Sequence, residues 1–238
     1  MNHEDTANHK VRLWDIVKRG IELADGYILF VVVYFAVDYL VWFGVTRLET
    51  HFIGPVQDVP PDLTRVIPFL LAFWITSSLV QAFMDCIIAR LLGKAVLLIE
   101  PDAGLLLGHT VRRFYLRMLL LSAIHGILLI VALPLYLAAY CVLRYVAAFV
   151  IWRDCTVPAA FSGFSDFLSA HLGKFMPVWL VGAVVLMGTN LAAGSPASSN
   201  LVFMGLLHLV VAYFDFAVMA VALLSFTMLQ NNRQEALA

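Results

Sequence analysis

Charge is scarce in this chain. Only 13% of its 238 residues are Asp, Glu, Lys or Arg, about half the share found in a water-soluble domain. With 62% hydrophobic residues, a soluble fold of this length could not keep its apolar surface out of water, whereas lipid removes the need. Cysteine is scarce too. Cys86, Cys141 and Cys155 form no CxxC pair, and the first two sit in apolar runs. They read as small core residues rather than as metal ligands or disulfides. The motifs of soluble enzymes are missing: no P-loop, no GxGxxG opening a helix after a strand, no HExxH and no GxSxG. Gly104 and Gly108 flank three leucines, the wrong spacing for a phosphate loop. No short cleavable leader is visible either. Residues 1–25 are polar or amphipathic, and the first apolar run is long enough to be an uncleaved anchor.

What is there is apolar sequence in long runs. Residues 114–152 contain only Arg117, His125 and Arg144 as acidic or basic side chains. As one straight helix, at about 1.5 Å per residue, this run would be roughly 58 Å long. A bilayer core is about 30 Å thick. It is therefore two crossings, reversing at Leu133-Pro134-Leu135.

The same reading along the chain predicts an all-α polytopic membrane protein of six spans. They fall at residues 26–46, 66–88, 114 to the Pro134 turn, the turn to 152, 175–193 and 201–228. Residues 1–25 form a cytoplasmic N-terminus, residues 26–228 one transmembrane domain, and residues 229–238 a short cytoplasmic tail. Pro68 falls in the first turn of the second span, where proline is tolerated. Residues 47–65, with Gly54, Pro55, Pro60 and Pro61, read as an irregular loop. Residues 194–200 read as a tight polar turn. Before each hairpin lies a surface segment. Residues 11–25 place Leu13, Val17, Ile21 and Ala24 on one helical face. Residues 89–113 make a basic, partly greasy elbow around Pro101. Residues 156–174 align Val157, Phe161, Phe164, Phe167, Leu168, Leu172 and Phe175 in a stripe, opposite Ser162, Ser165, Asp166, Ser169 and Lys174. Such helices lie in the membrane interface.

Basic residues orient the chain. Twelve of the fifteen Lys and Arg fall in the N-terminus, the 89–117 region, the 153–174 region and the tail. Arg47 and Arg65 lie on the other side and Arg144 within a span. The positive-inside rule then puts both termini in the cytoplasm.

Polar groups inside spans need a reason. Asp38, Arg144 and Asp215 are such groups, with His125 and His208 beside them; Asp85 falls near the cytoplasmic surface, within reach of water. Counted from the span ends, Arg144, Asp38, His125 and His208 all lie about 10–12 Å below the outer surface, and Asp215 deeper. The expected partner of Arg144 is Asp38, with Asp215 second. An ion pair that fixes helix register is the structural reading. Proton or ion translocation through Asp38, Arg144 and Asp215 is the first functional alternative, and it requires a polar cavity joining them, open to one side. Haem b ligated by His125 and His208 is the second, with no cofactor at all as the simpler reading. His109, Arg112 and Arg113 form a basic cluster suited to lipid headgroups. Short loops leave little room for a soluble active site, so the expected role is non-enzymatic: a structural or accessory subunit contacting lipid and a membrane partner, or a second copy of itself.

The stretch from Leu133-Pro134 through YLAAYCVLRYVAAFVIW to VPAAFSGFSDFLSAHLGKFMPVW carries a resemblance. With the Leu13-Trp14 to Tyr27 entry, it resembles the six-helix membrane domain of bacterial glycerophosphoryl diester phosphodiesterases. The shared features are the third span ending at Pro134, Arg144 followed by Tyr145, and an amphipathic helix leading into the fifth span. In phosphodiesterase members the chemistry belongs to a separate metal-dependent barrel, which this chain lacks. The resemblance therefore implies a fold and an inner-membrane location, not catalysis.

Overall fold

The apolar runs form long helices. The computed structural model describes residues 13–52, 63–97, 106–131, 133–193 and 200–235, and every element among them is α-helical. In chain order they are α1 (Leu13–Gly26), α2 (Ile28–Phe52), α3 (Leu63–Leu97), α4 (Leu106–Val131), α5 (Leu133–Arg153), α6 (Val157–Ala193) and α7 (Leu201–Glu235). Within them Ile28–Val45, Ile67–Leu97 and Leu201–Leu229 are long and apolar enough to cross a membrane, and a bent fourth candidate lies in α6. This is a multi-pass membrane protein by length and composition.

Several boundaries differ from the sequence reading. Residues 47–52 and 63–65 of the expected loop at 47–65 are helical, and 53–62 lie outside the described residues, as do 98–105 and 194–199. α2 runs past Arg47 to Phe52, and the Arg47 guanidinium lies 5.1 Å from the Phe43 ring one turn back. α3 begins at Leu63, so Pro68 sits inside the helix rather than in its first turn. α3 also continues to Leu97, nine residues past the expected span end, and α7 runs on through most of the expected tail. Pro134 is the second residue of α5, where its missing N–H costs nothing. Asn200 caps α7, its Oδ1 accepting from the Val202 and Phe203 amides at 2.9 and 3.2 Å.

α1, the expected surface helix, packs one face on α7. Its buried face is Ile16, Gly20 and Ala24, and Ile16 packs with Val221, Leu224 and Leu229 of α7. A Cβ on Gly20 would collide with Val221, so glycine sets this close approach. Ile21, expected on the apolar stripe, is exposed, as is Trp14. The apolar face is thus split: one edge covers α7 and the other, with Trp14 and Ile21, is left bare.

α6 turns by 98° between Val157–Gly173 and Phe175–Thr189. Pro177 cannot donate to the Gly173 carbonyl four residues back, and His171 leaves helical geometry at φ −130°. The first arm covers the bundle with Val157, Ala160 and Phe164, leaving Phe161 and Leu172 exposed. Beneath it Phe226 of α7 gathers Tyr145, Phe149, Trp152 and Phe167, with ring centres 4.7–5.9 Å away.

Candidate functional site

Five polar side chains from four helices close into a ring inside the bundle. Arg144 of α5 points one edge at Asp215 of α7, with Nε to Oδ1 at 3.1 Å and Nη2 to Oδ2 at 2.6 Å. Its Nη1 reaches Asp85 of α3 at 2.7 Å. Gln81, one turn before Asp85, donates to it at 3.1 Å. The Tyr34 hydroxyl of α2 lies 2.8 Å from both Gln81 and Asp215. Arg144, Asp85 and Asp215 are each at most 5% exposed. A bidentate guanidinium–carboxylate pair is the strongest arrangement such groups can make.

The ring is short of one positive charge and one hydrogen. Two carboxylates share one guanidinium, which leaves one negative charge in excess. Three edges of the ring do not involve Arg144: Asp85 to Gln81, Gln81 to Tyr34, and Tyr34 to Asp215. Whichever way the Gln81 amide is turned, it contributes a hydrogen to one of these edges, and Tyr34 to one more. The third edge has none. A proton or another cation must complete a cluster buried this deeply.

The order of partners differs from expectation. Asp38, expected first, does not reach Arg144. It lies 2.6 Å from His208 Nδ1 instead, because α2 and α7 run antiparallel and bring Tyr39 to Leu201, Asp38 to His208 and Tyr34 to Asp215. Asp85 was expected near water and is 2% exposed. Its depth was misjudged because α3 continues twelve residues beyond it. Gln81 and Tyr34 were missed altogether. The signal for Gln81 was its spacing of four residues from Asp85 in an apolar helix. His125 and His208 serve different surroundings. His125 stacks on Tyr136 at 4.8 Å, while His208 packs on Tyr39 and Trp42.

A cavity of about 190 Å³ lies against this ring. Its wall includes Asp38, 38% exposed, and Asp215, 4% exposed. Ser77, Ser78, Gln81, Ser122, His125 and Tyr140 line it between them. Ser122 Oγ, His125 Nε2 and the Tyr140 hydroxyl are buried without a hydrogen-bond partner among the described residues. Buried polar atoms are seldom left so, and three at one cavity mark a place that receives polar atoms. Arg144 stands behind Asp215, in a small adjoining space with Asp85, Ser122 and His125.

At the far end of α5, Asp154 sits at φ 48°, a left-handed conformation that Asp tolerates better than most residues. Arg113 and Arg117 of α4 hold its carboxylate at 2.5 and 2.7 Å. The hydrogen bond from Arg113, with the help of Arg117 and both charges, keeps the Asp154 carboxyl below its ordinary range against partial burial. Arg113, one of the residues expected to meet lipid headgroups, is paired with Asp154 here and remains about half exposed. Arg112 is exposed, and the side chain of His109 lies outside the described residues. Among the described residues no group of three or more His, Cys, Asp or Glu is arranged to hold a metal ion.

Comparison with protein-family models, curated proteins and solved structures finds no match to this chain.

Proposed function

We propose that this chain is a six-crossing α-helical protein of the bacterial inner membrane, with both termini cytoplasmic, that performs no covalent chemistry and admits a small polar solute to the buried charge ring. Residues 26–228 make its membrane domain, with a short cytoplasmic segment on either side. Six crossings are supported by α2, α3, α4, α5, the second arm of α6, and α7, each of which covers one apolar run. The asymmetry of Lys and Arg supports the orientation. The resemblance of residues 133–179 to the phosphodiesterase membrane domain supports the location.

One observation carries the solute-binding reading: three buried polar atoms, unpartnered among the described residues, around a cavity that borders an incompletely neutralised charge ring. A register-fixing ion pair needs no cavity. The test is thermal unfolding of the purified protein in detergent with a panel of small polar solutes. A ligand at about 100 times its Kd adds about 2.7 kcal/mol. Solutes that raise the melting temperature of the native chain but not of Ser122→Leu, which fills the cavity, support the reading. A panel with no such member overturns it.

A second reading keeps the ring structural and makes the chain an accessory subunit for lipid and a membrane partner. The engagement of Arg144 on both sides by carboxylates favours it. It expects no solute effect and a stoichiometric partner, or a second copy, on mild-detergent purification.

A further inference from the structure

A larger apolar groove adjoins the polar cavity. It lies between α2 and α3, measures about 720 Å³ and is lined by Leu40, Gly44, Leu48, Pro68, Phe69 and Ala72, among others. Val41 and Phe73 belong to the walls of both spaces. Leu40 and Leu48 are 65% and 51% exposed, so in a six-crossing protein the groove opens sideways into lipid. An apolar channel ending at an acidic, hydrogen-bonding pocket has the polarity of an amphiphile.

We propose that groove and cavity together bind one single-chain amphiphile, with its tail between α2 and α3 and a primary ammonium head against Asp215 and Tyr34. This rests on the solute-binding reading above and names the ligand. The head is cationic because the ring is one positive charge and one hydrogen short, and an ammonium brings both. Its three N–H groups suit the oxygens of Ser122 and Tyr140, residues that are 5% and 2% exposed and whose hydroxyls have no partner among the described residues. An anionic head would face Asp38 and Asp215 with Arg144 already engaged on both sides, an arrangement that rejects it. The tail gains nothing in transfer from lipid, which is as apolar as the groove. It sets the route and orientation, and the head sets the selectivity.

The test uses the full chain in nanodiscs of zwitterionic lipid, titrated with dodecylamine, dodecanol, dodecanoate and tail-less ethylamine, with bound ligand read by native mass spectrometry. Two variants accompany it. Gly44→Phe fills the groove at a position where an added Cβ meets nothing within 4 Å. Asp85→Asn removes the excess negative charge while leaving Arg144 its bidentate partner. Dodecylamine is expected to bind at least tenfold more tightly than dodecanol or dodecanoate, and each variant to weaken it at least tenfold. Ethylamine should still bind Gly44→Phe. Dodecanoate bound as well as the amine overturns the cationic head. Ethylamine binding with no effect of Gly44→Phe on dodecylamine overturns the amphiphile and leaves the solute-binding reading standing. No binding of any probe, together with a silent solute panel, overturns both.

Discussion

Arg144 has one more carboxylate than its charge requires. The consequence is measurable without knowing the ligand. Asp85→Asn leaves the bidentate Asp215 contact and balances the charge, and its Oδ1 can still accept from Arg144 and Gln81 as the carboxylate does. Its cost in thermal or denaturant unfolding should be within about 1 kcal/mol. The double variant Asp85→Asn with Asp215→Asn strands a buried guanidinium and should lose about 3–5 kcal/mol. Equal, large losses from the single and double variants would mean that both carboxylates are ionised and needed. At this scale the sequence announced which groups were unusual: Asp38, Arg144, Asp215 and the two histidines all stand out in apolar runs. It could not assign the pairs. Pairing depends on which helices are neighbours and on how far each continues, and a few residues of misplaced helix end moved Asp85 from the core to the surface.

Elements meet here through small residues and polar corners. Gly20 lets α1 rest on α7, and Pro177 frees the carbonyl at the bend of α6. Asp154 joins the end of α5 to the start of α4 by two guanidinium contacts. The carboxyl of Asp154 is held below its ordinary value in the folded chain. Its contribution is therefore full above the unfolded value of about 3.9 and is lost as pH falls through the depressed folded value. Asp154→Asn keeps a residue that tolerates positive φ and removes the charge. The variant should be less stable at pH 7 by up to about 1 kcal/mol, because the pair is partly exposed. The gap should begin to close below about pH 4 and vanish once pH falls below the depressed folded value. A gap that persists at acid pH would show that shape, not charge, is what Asp154 supplies. The amphipathic stripes of α1 and α6 were visible as periodicity. Which edge of each stripe meets protein was not, since Ile21 and Leu172 look as suited to burial as Ile16 and Phe164.

Basic residues cluster in the segments between the apolar runs, and the buried polar ring lies inside the helix bundle. If six helices cross, reporters fused after residue 238 and before residue 1 should both read as cytoplasmic: fluorescent with a green fluorescent protein, inactive with an alkaline phosphatase. A phosphatase active at either terminus would remove one crossing and invert part of the bundle. The cavity, the apolar groove beside it and the ring between α2, α3, α5 and α7 exist only in the assembled bundle, and no run of sequence contains any of them.

The sequence by itself determined the class of solvent, the helical content, the approximate place of each apolar run and two of the buried charges, Arg144 and Asp215. These follow from local composition and from a period of 3.6 residues, which neighbours along the chain are enough to establish. The tertiary structure alone decided that Asp215 and Asp85, not Asp38, neutralise Arg144, that Tyr34 and Gln81 complete the ring, and that Ser122, His125 and Tyr140 share one cavity. Those facts depend on the rotation and depth of one helix against another. Small residues such as Gly20 and the stopping points of helices such as α3 set that geometry, and neither leaves a periodic mark.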